Sequence, residues 1–248
     1  MKATVFLLGA LFLTVSALAS GDTLLSQSGP QRVSMLEIFS SEGCSSCPPA
    51  EEWASGLVGS PGLWKNFVPA VFHVDYWDYL GWKDPLSDAR FSDRQRAYAD
   101  SWPNGRVYTP GFILNGREWG GWYAGGFLGG ANSQETGVLS IEKAGEDRYR
   151  IIFETHEKGK SYTAHAALLG FGLVSDVKSG ENAGRKLKHD FAVMDFSEGE
   201  MTPSGDGRFE KTFALKTSGD PRSKKWAVAA WVSAENKLEP LQATGAYL

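Results

Sequence analysis

The chain has 248 residues, 42% hydrophobic and 12% aromatic, with a formal charge of −4. That apolar content can build a buried core, and length alone suggests one large or two small domains. The near balance of charge, with no block of Lys or Arg, argues against a nucleic-acid surface, and no low-complexity tract or repeat interrupts the chain.

In chain order, the N-terminus comes first. Lys2 precedes an apolar stretch from Val5 to Val15, and Ala17-Leu18-Ala19 supplies the small-x-small pattern at which signal peptidases cut. Residues 1–19 are therefore expected to be a cleaved signal peptide, since the apolar run is shorter than the roughly 20 residues that span a bilayer. The expectation is a periplasmic or secreted protein with no stable membrane anchor after cleavage.

Val33 to Phe39 reads as a largely buried strand, and Ser40 to Gly43 as a polar turn. Cys44-Ser45-Ser46-Cys47 follows, and Pro48-Pro49 starts a helix continuing through Trp53-Ala54. These are the only two cysteines in the chain. In an exported protein the pair reads as a potential disulfide. As a staple it is weak, because closing so short a loop contributes only about 2 kcal/mol, against about 3 for fifteen residues. At a helix N-terminus, by contrast, unsatisfied N–H groups and the positive end of the dipole favour a thiolate. This arrangement is expected to expose Cys44 and shield Cys47. A structural pair remains open, as does a copper(I) site made by both thiolates and His73. The four histidines, His73, His156, His165 and His189, are scattered in sequence, and no metal site is expected from them.

Phe67 to Asp75 reads as a second strand, buried on both faces in the manner of parallel strands. An aromatic loop runs from Tyr76 to Trp82, with Trp77 a candidate for the rim of a substrate site. Ser92 to Gln95 resembles a capping box, placing a helix over Arg94 to Ser101. Strands are expected at Arg106–Thr109 and, after Pro110, at Phe112–Leu114, with Asn115-Gly116 turning a hairpin into Arg117–Trp119. The glycine-rich stretch from Gly120 to Gly130 is a poor helix.

Strand–helix–strand–helix–hairpin is the order of a thioredoxin-like domain. Thr109-Pro110 lies where that fold carries a cis-proline facing Cys-x-x-C. The string Glu37-Ile38-Phe39-Ser40-Ser41-Glu42-Gly43-Cys44-Ser45-Ser46-Cys47-Pro48-Pro49-Ala50 resembles one family of secreted thioredoxin-like proteins of unknown function. His73 to Asp78, Tyr108-Thr109-Pro110, Gly180-Glu181-Asn182 with Gly184, and Leu241-Gln242-Ala243 resemble it too. The resemblance implies a thiol activity in which Thr109 and Pro110 hold an extended peptide beside the reactive sulfur. Thioredoxins proper carry a buried Asp before the motif. Here Ile38 takes that position, Glu37 points to the other face, and Asp75 or Glu42 are the available carboxylates.

From about Ser133 the pattern becomes alternating. Strands are expected at 138–142, 149–154, 162–169, 188–196, 209–215 and 226–233, separated by polar turns, as in an antiparallel β-sandwich. Gly180 to Gly184 is expected to be a loop with glycines at positive φ.

The combined expectation is an α/β chain: a thioredoxin-like domain over 31–132, then a β-sandwich accessory domain over 133–248. Its expected activity is thiol–disulfide exchange through catalytic Cys44 and Cys47, with substrate held by Thr109, Pro110 and Trp77. No cofactor is called for, and the partners are protein or small-molecule thiols and disulfides, including a redox partner protein. The alternative is a non-catalytic binding module on the same fold, either a copper(I) chaperone or a peptide-binding adaptor.

Overall fold

A computed structural model describes residues 22–103, 105–124, 133–157, 159–205, 207–216 and 222–248. The expected signal peptide and most of the glycine-rich stretch lie outside the described residues. The fold is rich in β-structure, with two α-helices among the described residues. None of these helices is long and apolar enough to cross a membrane.

The chain begins with β1 (Thr23–Gln27) and β2 (Ser34–Ser40), followed by α1 (Cys47–Ser55) and β3 (Phe67–His73). Then come α2 (Ala89–Ser101), β4 (Gly111–Leu114) and β5 (Arg117–Glu118). The second half supplies β6 (Val138–Lys143), β7 (Arg148–Glu154), β8 (Tyr162–Phe171), β9 (Leu173–Asp176) and β10 (Lys186–His189). It closes with β11 (Ala192–Glu200), β12 (Thr202–Gly205), β13 (Arg208–Ala214), β14 (Lys225–Ala234) and β15 (Pro240–Tyr247).

Eight strands form one sheet in the order β15-β14-β8-β11-β3-β2-β4-β5. β2 runs parallel to β3 and antiparallel to β4. Every residue of β3 is buried, as its unbroken apolar run requires of a strand covered on both faces. One face, bearing Ser40 and His73, is covered by α1, whose Trp53 packs against Phe112. The other, bearing Glu37, Phe39 and Phe72, is covered by α2 through Phe91, Arg94 and Tyr98. A second sheet, β1-β6-β7-β13-β12, stacks on the β8–β14 part of the first. Ile141, Ile151, Phe153 and Phe213 there meet Ala164, Ala166, Leu168 and Val232. Strands from both sequence halves thus share one hydrogen-bonded sheet, joined where β3 meets β11 (Val71 opposite Ala192).

Several local expectations are corrected. The second helix starts at Ala89, capped by Asp88, whose carboxylate accepts from the Arg90 amide. Ser92 is no cap: buried inside the helix, it donates to Asp75 at 2.5 Å. Arg106–Thr109 is not a strand. There the Tyr108 carbonyl accepts from the Gln95 side chain at 2.6 Å. The single strand expected over 188–196 is two, because Phe191 adopts φ 60° and turns its ring onto Trp64 and Phe171. β10 consequently pairs with β9, and β11 with β8 and β3. The hairpin at Asn115-Gly116 forms with both residues at positive φ, 52° and 81°. Gly180 and Gly184 also take positive φ, 77° and 82°.

Candidate functional site around Cys44 and a buried His–carboxylate cluster

The Cys-x-x-C turn sits between the end of β2 and the first turn of α1, which begins at Cys47 with prolines next in line. Both cysteines are free thiols. Cys44 was expected to be exposed. It is not: it is 1% exposed and Cys47 is fully buried. Two segments cover it. On one side stands the Thr109–Pro110 turn, whose peptide bond is cis, with the Thr109 carbonyl 3.6 Å from Cys44 Sγ. Trp77 braces that turn by donating its indole N–H to Thr109 Oγ1 at 2.8 Å. On the other side lies the loop of residues 180–184. Asn182, fully buried, donates from Nδ2 to the carbonyls of Glu42 and Cys44, both at 2.9 Å. Glu181 accepts from the Ser45 amide at 2.9 Å. The structure therefore brings Cys44, Cys47, Thr109, Pro110 and Trp77 together and adds Glu181 and Asn182, for which no local pattern predicts a place at the site.

The two thiols are unlike. Cys44 is lowered to about 6, chiefly by a hydrogen bond from Cys47, with further help from Ser46 and Thr109 against the cost of burial. Cys47 is pushed well up, first by burial and then by donating to Cys44. A charged sulfur on the outer cysteine and a protonated one beneath it is the distribution an attacking and a resolving thiol need.

Removing the Asn182 amide should loosen this cover. Asn182→Ala takes the side-chain donor from the Glu42 carbonyl and leaves the Cys44 carbonyl with the Cys47 amide alone, and should cost about 1–3 kcal/mol. Denaturant unfolding reads that loss, and alkylation of Cys44 in the folded state should accelerate. Unchanged stability and alkylation would mean that Asn182 does not hold the loop on the turn.

Behind the cysteines lies a second constellation. Ser40, at the end of β2 beside Cys47, donates to Glu51 at 2.5 Å. Glu51 in turn contacts His189 Nδ1, and its Oε1 lies 3.8 Å from His73 Nε2. His73 Nδ1 lies 2.7 Å from Asp84, and His189 Nε2 lies 3.1 Å from Glu42. All five ionisable side chains are buried. Burial disfavours both imidazoliums, yet both are raised: His73 by Asp84 and Glu51, His189 to about 10 by Glu51 and Glu42. Burial likewise opposes ionisation of Glu51 and Asp84, but the facing histidines lower both.

Two of the histidines read as scattered are thus neighbours, with ring centroids 5.0 Å apart. β3 delivers His73 beside Ser40, and the packing of β10 on α1 brings His189 back across 138 residues to Glu51. The copper(I) set of Cys44, Cys47 and His73 is not assembled. Among the described residues, the group whose ligand atoms lie within 4.8 Å of one another is Glu51, His73 and His189. Glu42 is held by Trp82, whose indole donates to Oε2 at 2.7 Å, while Asp75 is engaged with Ser92. Glu37 pairs with Arg94 on the opposite face.

A family model described as "protein of unknown function (DUF1223)" matches residues 35–233. Among solved structures, the chain is similar to a protein from Agrobacterium tumefaciens, with a TM-score of 0.61 and 27% identity. That match covers 89% of this chain and 96% of the other. It is also similar to HBP35 of Porphyromonas gingivalis, with a TM-score of 0.60 over 89% of this chain and 76% of that one. At 17% identity the latter likeness concerns the fold alone. No curated protein matches the sequence.

Proposed function

The chain belongs to the family of proteins of unknown function DUF1223, and we propose that it is an exported thiol–disulfide oxidoreductase built on a thioredoxin-like unit of residues 31–132. One observation carries the reading: Cys44 stands in the turn just before α1 and Cys47 opens that helix, with the cis Thr109–Pro110 turn against the outer sulfur, an arrangement that lowers Cys44 and raises Cys47. Residues 133–248 are the accessory unit that supplies one side of the cover over this pair, through Glu181 and Asn182.

In the reducing direction the Cys44 thiolate attacks one sulfur of a substrate disulfide, forming a mixed disulfide and releasing the other sulfur as a thiolate. Cys47 then gives up its proton and attacks Cys44. The Cys44–Cys47 disulfide forms, and the second substrate thiolate leaves. The substrate gains two electrons and the pair loses two; a reductant of the thiol class restores it. Oxidation of a dithiol runs the same steps backwards. Ser40 and Glu51 form the route by which the Cys47 proton is handed on. Substrates enter where Trp77, Thr109 and Pro110 meet the 180–184 loop, and that rim must part because Cys44 is covered.

The test is the redox equilibrium of the pair against glutathione, with thiolate absorbance of the reduced protein followed across pH. The expected result is a reversible couple between about −120 and −270 mV. The thiolate midpoint should lie near 6, so that the anion predominates at neutral pH and is lost as pH falls through that value. A potential below about −300 mV with an ordinary thiol midpoint would sink the enzymatic reading and leave a binding module with a structural bridge.

A further inference from the structure

We propose that Glu51, His73 and His189 bind a divalent cation of the zinc class beneath the cysteine pair. The inference does not depend on the exchange chemistry.

The side chains are already oriented for the task. Asp84 faces His73 Nδ1 at 2.7 Å and is itself fixed by the amides of Glu42 and Leu86. A carboxylate there places the ring proton on Nδ1 and leaves the Nε2 lone pair directed into the cluster, the arrangement in which metal-bound histidines are usually held. His73 Nε2 is buried with no hydrogen-bond partner and has Glu51 Oε1 3.8 Å away, a condition in which buried polar atoms are rarely left. His189 Nε2 and Glu42 Oε1 face one another at 3.1 Å. One ligand atom each from Glu51, His73 and His189 falls within a mutual 4.8 Å.

Charge is compatible with a cation. Glu42, Glu51 and Asp84 bring three carboxylates against two imidazoles in a region closed to solvent. With both imidazoles protonated the cluster carries a formal −1, and a divalent ion that displaces those two protons leaves the same −1, so the metal takes the place of the imidazolium charges and its binding releases protons. Two imidazole nitrogens with one or two carboxylate oxygens suit zinc and its first-row neighbours. They do not suit calcium or magnesium, which take oxygen ligands, or copper(I), which prefers sulfur. An approach exists: a groove of about 410 Å³, lined by Pro48, Glu51, Glu52, Ser55, Lys188 and His189, reaches two of the ligands from the surface.

The experiment uses the chain with Cys44→Ser and Cys47→Ser, stripped with chelator, so that no thiolate competes. Zinc titrated calorimetrically should bind at one equivalent. Cobalt(II) should give the visible bands of a low-coordinate nitrogen–oxygen site without a sulfur charge-transfer band. Asp84→Asn should weaken zinc binding about 10–100-fold by removing the partner that orients His73. His73→Gln and His189→Gln should each weaken it by at least about a hundredfold. Near-UV circular dichroism verifies that each variant is folded. Absence of binding to the folded cysteine-free chain would overturn the proposal. So would binding that appears only when the cysteines are present, or that survives loss of both histidines. Should a histidine variant fail to fold, the cobalt spectrum and the Asp84→Asn affinity still decide the matter.

Discussion

Cys44→Ser is expected to reduce disulfide exchange to background, a loss on the order of a thousandfold or more. A hydroxyl is not ionised at neutral pH, whereas the Cys44 thiol is lowered to about 6. Cys47→Ser should behave differently. It retains the attacking sulfur but cannot resolve the adduct, so the mixed disulfide on Cys44 should accumulate and be visible by mass spectrometry with a glutathione disulfide substrate. Cys47→Ser keeps a hydroxyl donor near Cys44, whereas Cys47→Ala removes the principal donor, so in the alanine variant the thiolate midpoint should move upward. The contrast between the two serine variants matters more than either alone. Equal, partial losses in both, with no trapped adduct, would show that the pair is not an attacking and resolving couple.

The largest stability effect is expected on the other face of the sheet. Arg94 on α2 is buried and makes a two-pronged contact with Glu37 on β2, at 2.6 and 3.1 Å. Its guanidinium also reaches Glu198 at 3.2 Å and lies 5.3–5.8 Å from the ring centres of Phe72, Tyr98, Phe196 and Trp231. Burial is the largest single influence and opposes its charge, but Glu37, Tyr98 and Glu198 together outweigh it and hold the guanidinium firmly protonated. Arg94→Ala leaves Glu37 buried without its cation and should cost about 3–5 kcal/mol, read from denaturant midpoints at unchanged slope. The pair replaced as a unit, Glu37→Leu with Arg94→Met, should recover most of that loss, because no charge is then stranded. A single-variant cost under about 1 kcal/mol would show that the pocket admits water to Glu37.

How much of this could be read in the sequence depended on the range of the interaction. β2, β3 and the first helix were legible because apolar runs and the Pro48-Pro49 start are local signals, and so was the Asn115-Gly116 turn. Strands β6, β7, β8, β13 and β14 showed themselves by alternation. β1, β9, β12 and β15 lie outside the expected strands because they carry weak local patterns, being short, exposed or rich in small residues. At the site, spacing alone paired Cys44 with Cys47. Nothing local predicts that Asn182 would reach the Cys44 carbonyl or that His189 would reach Glu51, since those contacts are 138 residues apart. The expected exposure of Cys44 failed for the same reason. One side of the cover comes from the 180–184 loop, whose only local signal is its glycines.

The continuous eight-stranded sheet carries a further consequence for how the chain can be divided. A change of sequence pattern near residue 133 invites a cut there, yet the edge such a cut would create is β3. Its Val71 amide donates to the Phe191 carbonyl, and its side chains are all buried. An isolated first half would present that apolar edge unpaired, a template for intermolecular strand addition. It would also uncover the cysteine turn and strand Glu51 without His189. The halves differ in composition but are not interchangeable modules, and any recombination between relatives must carry β3 and β11 together.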